Sequence, residues 1–542
     1  MTYTQSELEG STPVFLLEFT WGGRVHRYST QTISLSSTAG EIQYLGTISQ
    51  FDYSESMQPV SISSNIVSMA LYMQDVDLLQ RWSEGDTLDG VYAQVSMVLL
   101  KYDTPQQNHE QRYILYTGYI QDPQFGDPQE HESYISISIE AQPYSGDRLL
   151  LDSTLVIDDR FSQRDKETAD GKIWPIVLGS VGQGVLVSPS TTKNIYSSPS
   201  YCIERYPGTG GHAHMMIAGH KVLSSFISIQ DEKFDTDTLS VLEAVDQYGN
   251  TYSYVQTDTF NNVAVPGTSV NGTSREWWIY LDAGMPSPYG DGPLQLGGDI
   301  CRWALSRTGT IVDDGAWANA SSILNRYKFG GYINDPSITA WEWLNGNILP
   351  FLPVSSRMGP HGVRPVINQL WAVSTVKPKY ILRVSDDAES QQLSAVESLR
   401  SIDDIVNEVL IRWAKDGYSQ DYRGLTRVTG AYHWYSRVVS QYATISQARY
   451  GVRMKVVDAD YIYDRSTAVR VAMDIVRANC LQLYAVTVSI PQYLSWIEIG
   501  DVLQVEITRL HIDTKMLVIE KTWRDGYWEI LLHFEINPIQ DI

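Results

Sequence analysis

Apolar and polar residues alternate with a period of two through much of the chain between positions 14 and 151. In 133–141, for example, Ile135, Ile137 and Ile139 alternate with serines. Alternation of this kind places apolar side chains on one face of a strand. Strands are predicted at 14–20, 24–28, 66–72, 91–101, 113–120 and 133–141, with a Gly22-Gly23 turn and a short helix at 75–82. This pattern indicates a compact β-barrel or β-sandwich.

The C-terminal region changes from helical to strand periodicity. Ala468, Ala472 and Val476 recur at helical spacing within 466–483, which predicts one apolar helix face. Strands are then predicted at 485–490, 502–508, 515–523 and 528–536, and Arg524-Asp525-Gly526 joins the last two as a tight hairpin. The predicted unit is a helix, a strand, a Gly500-Asp501 turn and a β-meander.

The middle of the chain contains a polar junction, a β-rich segment and a helical segment. Gly, Ser, Thr and Asn are frequent in 184–292, which predicts an inserted module of short strands. Three helix starts are predicted after 296, at Asp299, at Asp313-Asp314 and at Asp335-Pro336, and Gly309 is predicted to end the first helix. The predicted divisions are 1–157, 158–183, 184–295, 296–366 and 367–542.

Length and composition predict a soluble globular protein of three or four domains, since the chain has 542 residues, of which 43% are hydrophobic and 19% charged. No apolar run approaches the ~18 residues of a membrane helix, and the N-terminus lacks the pattern of a signal peptide. Three widely spaced cysteines argue against a disulfide framework or zinc site, and they fit a cytoplasm-like compartment.

The net charge of −23 argues against stable binding of nucleic acid through its phosphates. Two interpretations of the acidic surface remain open. It keeps the protein soluble, or it forms a channel wall that repels the DNA backbone and so allows DNA to slide.

Three sets of residues are candidates for function. His212, His214 and the nearby His220 have the spacing of a metal site shared between copies, but a glycine-rich loop with exposed histidines and no nearby carboxylate is the favoured interpretation. The pairs Asp313-Asp314 and Asp403-Asp404 are acid–base candidates, but helix capping is favoured for both. No catalytic, cofactor-binding or metal-binding residue is therefore assigned.

Aromatic residues are unusually numerous, with 15 Trp and 34 Tyr. They are suited to stacking on sugars, and equally to strand cores and subunit interfaces. Trp277-Trp278 on a predicted strand is the candidate for an exposed interface pair.

A series of segments resembles a known family. They are Tyr116-Thr117-Gly118-Tyr119-Ile120, Pro175-Ile176-Val177-Leu178-Gly179, Arg357-Met358-Gly359-Pro360-His361-Gly362, Asp404-Ile405-Val406-Asn407, Arg449-Tyr450-Gly451 and Glu498-Ile499-Gly500-Asp501-Val502. Together with the helix and strands between the last two, they resemble the tail hub or tail-tip (baseplate hub) proteins of long-tailed phages and gene transfer agents. The likeness is to the core of the lambda-type tail-tip protein, and it covers about two thirds of the chain.

The resemblance implies a multidomain, mainly β fold with α+β parts: N-terminal and C-terminal β-barrel-like tube domains, an inserted β module and a small helical region between them. It implies a non-enzymatic structural virion protein without cofactors at the distal end of the tail, assembled in the bacterial host cytoplasm. A homotrimeric ring would join the tail tube to the tip and gate passage of the tape-measure protein and DNA.

The implied partners are other copies of the chain, distal tail and tail tube proteins, the tape-measure protein and a tip fibre or receptor-binding protein. DNA would be a partner only in transit, without stable membrane insertion. The sequence ends at Ile542 without the fibronectin-like and receptor-binding extensions of larger tail-tip proteins, so we expect a separate protein to recognise the host. The alternatives are a tail-associated enzyme that degrades carbohydrate or peptidoglycan, and a host-surface binding protein.

Overall fold

A computed structural model of the chain shows a mainly β protein, with 50% strand and 19% helix. This confirms the predicted multidomain, mainly β fold class. The structure describes residues 9–57, 66–72, 78, 80–81, 84–125, 134–140, 148–164, 166–182, 185–188, 190–193, 195, 197–206, 212–224, 226–231, 234–257, 277–309, 311–359, 361–368, 376–384, 393–398, 400–417, 419–430, 438–524 and 526–535. Most of the predicted helix at 75–82 lies outside these ranges.

The N-terminal region contains ten strands among its described residues. They are β1 Thr12–Trp21, β2 Arg24–Ser29, β3 Ile33–Ser37, β4 Gly40–Gly46, β5 Ile48–Ser56, β6 Ile66–Tyr72, β7 Tyr92–Lys101, β8 Thr104–Pro105, β9 Tyr113–Phe125 and β10 Tyr134–Glu140. The hairpin between β1 and β2 turns at Gly22 and Gly23, whose φ angles are 57° and 78°. Two successive positive φ angles match the right-handed twist of paired strands, which explains the glycine pair.

The middle region contains short strands and a closed barrel. The strands are β11 Ile176–Leu178, β12 Val185–Ser188, β13 Thr191–Lys193, β14 Ser198–Tyr206, β15 His212–Ala218, β16 Phe226–Asp231, β17 Phe234–Val245, β18 Thr251–Thr257, β19 Trp277–Tyr280 and β20 Gly331–Ile333. Strands β14, β15, β18, β17, β16 and β19 close into a barrel in that order. Residues 246–250 form the β17–β18 connection, in which the Asp246 side chain accepts from the backbone N–H groups of Tyr248 and Asn250.

The remaining strands form a hairpin and two sheets. They are β21 Val354–Gly359, β22 Gly362–Ile367, β23 Tyr380–Val384, β24 Leu393–Ser398, β25 Glu408–Lys415, β26 Tyr422–Thr429, β27 Val438–Val439, β28 Met454–Ala459, β29 Leu483–Ile490, β30 Val502–Ile507, β31 Ile512–Arg524 and β32 Tyr527–Glu535. Strands β31 and β32 form the predicted hairpin, in which Arg524 pairs with Tyr527, and Asp525 of the predicted turn lies outside the described residues.

The helices of the described residues are α1 Ile157–Arg160, α2 Lys166–Ala169, α3 Gly297–Thr308, α4 Asp314–Leu324, α5 Ala340–Asn347, α6 Gln441–Tyr450 and α7 Arg465–Asn479. Short 3-10 turns lie at His109–Gln111, Leu349–Phe351, Ile402–Asp404, Gln492–Leu494 and Thr508–Leu510. None of the helices in the described ranges has the length and hydropathy needed to span a bilayer.

Two of the three helix starts predicted after 296 were wrong. Helix α3 begins after Leu296, so Asp299 lies inside its first turn rather than at the cap. Thr339, not Asp335, caps α5, because Thr339 and Glu342 form a reciprocal capping box. The other two predicted ends are confirmed: Asp313 caps α4 by accepting from Ala316, and Gly309 ends α3 in the left-handed conformation.

Asp403-Asp404 is the third incorrect capping assignment. These two residues lie in the 3-10 turn Ile402–Asp404, and the Ser401 side chain accepts from the backbone N–H of Asp403 in their place. The favoured interpretation was therefore wrong in detail, although both acids lie in a turn, exposed to solvent.

A single sheet of 16 strands contains strands from both the N-terminal and the C-terminal regions. Its main path runs β24-β29-β32-β31-β5-β6-β10-β9-β7-β1-β2-β4-β3. Strand β5 of the N-terminal region pairs with β31 of the C-terminal meander, so the two predicted tube domains share one sheet through this pair. One apolar core cluster contains Phe15 of β1, Trp343 of α5 and Phe534 of β32.

A separate four-stranded sheet, in the order β27-β26-β25-β28, carries α7 on one face. Asp464 caps α7 by accepting from Thr467, and Ala468, Ala472 and Val476 are buried as the periodicity predicted. The small sheet therefore has one face covered by α7 and one outer face.

Candidate functional site: the interdomain seam and its polar face

The pairing of β5 with β31 is called the seam. Its register places Ser56 opposite Glu520, Glu55 opposite Lys521, Ser54 opposite Thr522 and Tyr53 opposite Trp523. Alternation along each strand divides these residues between two faces. Tyr53, Glu55 and Lys521 are buried, whereas Ser54 is exposed and its hydroxyl lies 3.2 Å from that of Thr522.

Aromatic rings pack on the buried face of the seam. The ring centroid of Trp523 lies 5.0 Å from that of Phe15 and 5.0 Å from that of Trp528, and both pairs are edge-to-face. The ring centroids of Tyr53 and Trp528 are 5.7 Å apart. Because Phe15 and Tyr53 belong to the N-terminal strands and the two tryptophans to the C-terminal meander, these contacts fix the two regions against each other.

Arg357, on the hairpin strand β21, crosses the seam. Its guanidinium donates to Glu55 at 2.7 Å and to Glu498 at 2.8 Å. Arg357 and Glu55 are each only 4% exposed, so this ion pair is buried. The Tyr53 hydroxyl donates to the other oxygen of Glu55 at 2.8 Å. Burial, followed by the nearby Glu55 charge, raises the pKa of Tyr53 well above its usual value.

Lys521 is the second buried cation at the seam, 3% exposed. Its ammonium donates to the Ser495 carbonyl and lies 4.1 Å from the centre of the Trp528 ring. Burial lowers the pKa of Lys521 to about 8, although Glu55 and Glu498 act in the opposite direction. The side chain therefore remains mostly charged at neutral pH.

The Glu498–Val502 turn closes this cluster. The Glu498 backbone N–H donates to Asp501 at 2.8 Å, and Lys379 donates to the same carboxylate oxygen at 2.8 Å. Burial acts to raise the pKa of Glu498, but the positive charges of Arg357 and Arg364 outweigh it, so that pKa is lowered. Burial raises the pKa of Asp501 despite Lys379.

Gly500 explains why this turn requires glycine. Its φ is +87°, and a Cβ at this position would lie 2.6 Å from the Val366 side chain. The turn therefore packs directly on β22 of the hairpin that carries Arg357. The Glu498–Val502 segment holds the hairpin against the seam.

The opposite face of the sheet near the seam is polar and built from short side chains. Residues from β5, β6, β9 and β10 line one shallow depression there: Gln50, Asp52, Ser68, Ala70, Asp122, Gln124, Ser136 and Ser138. Alternation places Ser54, Glu520 and Thr522 on the continuation of this face across the seam. We call these eleven residues the polar face. It contains three carboxylates and no basic residue.

The histidine candidates do not form a metal site in the described residues. The His214 Nδ1 lies 2.7 Å from Glu204, so the expectation that no carboxylate is nearby was wrong. His220 accepts from the Val177 N–H at 3.0 Å and donates to the Lys221 carbonyl at 2.7 Å, and burial lowers its pKa to about 4. The His212 side chain lies outside the described residues. Nowhere in the described ranges do three or more His, Cys, Asp or Glu side chains group as metal ligands.

Trp278, one of the two tryptophans predicted to be exposed, is placed differently from expectation. Trp278 is half-buried on β19, and its ring occupies the space where a Cβ on Gly417 would lie, at 2.2 Å. Trp278 therefore packs within the chain rather than presenting an exposed surface. The side chain of Trp277 lies outside the described residues.

Sequence reasoning missed Arg357, Glu55 and Lys521 as a group. A basic residue in a strand, at Lys521, and an acid in a strand, at Glu55, are weak signals by themselves, because single charges on strands usually face solvent. Only the register of the seam brings them together.

No family model and no curated protein matches the chain. Among solved structures, the chain is similar to a tail protein from Neisseria meningitidis MC58, at 10% identity over 97% of each chain with a TM-score of 0.38. It is similar to a 43 kDa tail protein of prophage MuSo2 from Shewanella oneidensis, at 11% identity over 96% of this chain and 98% of that one, with a TM-score of 0.38.

A third similarity is to a chain in the virion of a native gene transfer agent particle. The identity is 9%, the coverage is 68% of this chain and 86% of that one, and the TM-score is 0.40. These TM-scores lie below 0.5 and do not establish a common fold.

Proposed function

We propose that this chain is a structural protein of a phage tail that forms the hub at the distal end. Three copies form a ring that joins the tail tube to the tip, and the polar face lines the passage for the tape-measure protein and DNA. The partners are distal tail and tail tube proteins, the tape-measure protein and a tip fibre or receptor-binding protein. The chain is assembled in the host cytoplasm and is retained in the virion.

The polar face is the observation that carries this proposal. Asp52, Asp122 and Glu520 present negative charge, and hydroxyl, amide and methyl groups fill the surface between them. A negative wall repels the phosphate backbone, whereas lysine or arginine would bind it and retard its passage. The short side chains leave few protrusions. Such a surface suits a polymer that passes without stopping.

The seam supports the same proposal from the mechanical side. A hub must hold its shape while a polymer moves through it, and separate tube domains would be free to move apart. Here the two regions share backbone pairing, an aromatic cluster and the Arg357–Glu55 ion pair. Together these contacts make one continuous wall from two regions of the chain.

The enzyme alternative receives no comparable support. Asp313 caps a helix and Asp314 pairs with Arg302 at 2.6 Å, whereas Asp403 and Asp404 lie in a solvent-exposed turn. Each candidate carboxylate therefore has a local structural role or faces solvent.

Immunogold electron microscopy of purified particles tests the proposal. An antibody against this chain is expected to label the free end of the tail and no other part of the particle. Unlabelled particles beside reactive soluble protein would contradict the proposal, and release of reducing ends by the purified chain would favour the enzyme alternative.

A further inference from the structure

Strands β28 and β24 each have an edge that no other described strand pairs with, and both carry exposed apolar side chains. Strand β28 ends the four-stranded sheet, and its Met454 and Val456 are 53% and 46% exposed. Strand β24 ends the large sheet, and its Val396 is 41% exposed. Open, apolar strand edges pair readily with other strands, and proteins normally protect them with charges, bulges or a covering element.

We infer that β28 of one copy pairs with β24 of the next copy around the ring. This inference rests on the proposed hub function, which supplies the copies, and it identifies the surface by which they join. The occupant of the β28 edge is thus a second copy of this chain. The β28 edge of that second copy remains open to pair with β24 of a third copy.

Charge complementarity selects an antiparallel register. With Val456 opposite Val396, Lys455 lies opposite Glu397, and both of these charged residues are exposed in the single chain. This register combines an apolar pair with an ion pair, the two kinds of cross-strand contact that stabilise sheets.

The same register makes an apolar row continuous between copies. Within the large sheet, Val396 lies opposite Val486, which lies opposite Leu532. In the small sheet, Val456 lies opposite Leu410. Pairing Val396 with Val456 therefore extends one row across the junction and covers the two exposed valines that end it.

Pairing of β28 with itself does not give this complementarity. If two copies of β28 paired around a twofold axis perpendicular to the sheet, residues directly opposite each other would have numbers that differ by an even amount. The reason is that opposite side chains in a sheet lie on the same face. Lys455 would then face the other copy's Lys455, Val457 or Ala459, and never Asp458. Because β28 and β24 are different surfaces, their contact is head-to-tail, which closes a ring when the rotation permits.

Cysteine cross-linking in purified particles tests the contact. Full-length chains carrying Val456→Cys and chains carrying Val396→Cys are incorporated together, and a disulfide is expected only when both variants are present. The native Cys202, Cys301 and Cys480 are buried, so their background should be low. Chains carrying both substitutions should give dimers and a closed trimer on oxidation.

Leu425→Cys with Val396→Cys is the matched control. Leu425 is 60% exposed on the same outer face, but it lies on β26, two strands from the β28 edge, or about 10 Å. No disulfide is expected from this pair. Equal cross-linking of the control and test pairs would overturn the inferred register.

Charge reversal gives an independent readout. Lys455→Glu or Glu397→Lys alone should lower the yield of the 456–396 disulfide several-fold, and both together should restore it. If the tail end is labelled by antibody while the mixed variants give no disulfide, the inferred contact is wrong and the hub function stands. If particles lack the chain, both fail.

Discussion

Arg357 and Glu55 form a buried ion pair at 2.7 Å although 302 residues separate them along the chain. Neither group would be stable in this position alone, because an unpaired buried charge is costly. The pair therefore requires that β5, the β21–β22 hairpin and the Glu498 turn assemble together. It makes the N-terminal and C-terminal regions of the sheet depend on each other.

Replacing Arg357 by alanine is expected to lower the free energy of unfolding by about 3–5 kcal/mol, because Glu55 loses its buried partner. Denaturant titration followed by tryptophan fluorescence measures the change. Glu55→Gln in the same chain should recover part of the loss. Arg383→Ala is the control, since Arg383 is 74% exposed in its pair with Glu506 and should cost no more than about 1 kcal/mol.

Lys521 predicts an unusual dependence of stability on pH. Its pKa of about 8 in the folded protein lies below the ordinary 10.5, so between these values the unfolded chain binds a proton that the folded chain does not. Stability contributed by this residue therefore rises with pH from about 8 to 10.5. Relative to a Lys521→Met variant, the wild type should gain on the order of 3 kcal/mol over this window. If the difference in unfolding free energy between the wild type and the variant did not change with pH, the lowered pKa of Lys521 would be contradicted.

Substituting Gly500 by alanine is expected to cost about 1–3 kcal/mol, because the residue combines a positive φ with a close approach to Val366. Thermal unfolding measures the change. Gly249→Ala is the matched control, since its φ is +91° but nothing lies within 4 Å of the added Cβ. The excess of the Gly500 variant over this control measures the contact with β22.

Reversing charge on the polar face should impair passage of DNA without unfolding the chain. Asp52→Lys combined with Asp122→Lys should slow DNA ejection from triggered particles at low salt and less so at high salt, because the added cations bind phosphate. The free energy of unfolding should change by no more than about 1 kcal/mol. Glu41→Lys, at an exposed position on β4, is the control. Ejection of DNA at the wild-type rate would contradict the proposal that the polar face lines the passage.

The parts of this fold that local chemistry determines were predictable from sequence. The Gly22-Gly23 turn, the β31–β32 hairpin, the Asp313 cap and helix α7 are set by residues close in the chain. At Asp335 a competing local motif prevailed, because Thr339 and Glu342 satisfy two backbone donors at once.

The candidate site was only partly predictable for a related reason. The Glu498–Val502 segment stood out in the sequence as a turn, but its contacts with Arg357, Arg364 and Lys379 depend on pairing between distant segments. Strand alternation identified the serines of β10 as one face. It did not show that Asp52 and Asp122 would join them, because that requires the order β5-β6-β10-β9.

A reconstruction of the free end of the tail by electron cryo-microscopy tests the proposed hub most directly. We expect three copies of the chain around the tail axis, with Asp52 and Asp122 facing the central passage and β28 of each copy beside β24 of the next. A tail end that lacks this chain, or copies whose polar face is turned away from the passage, would contradict the proposed function.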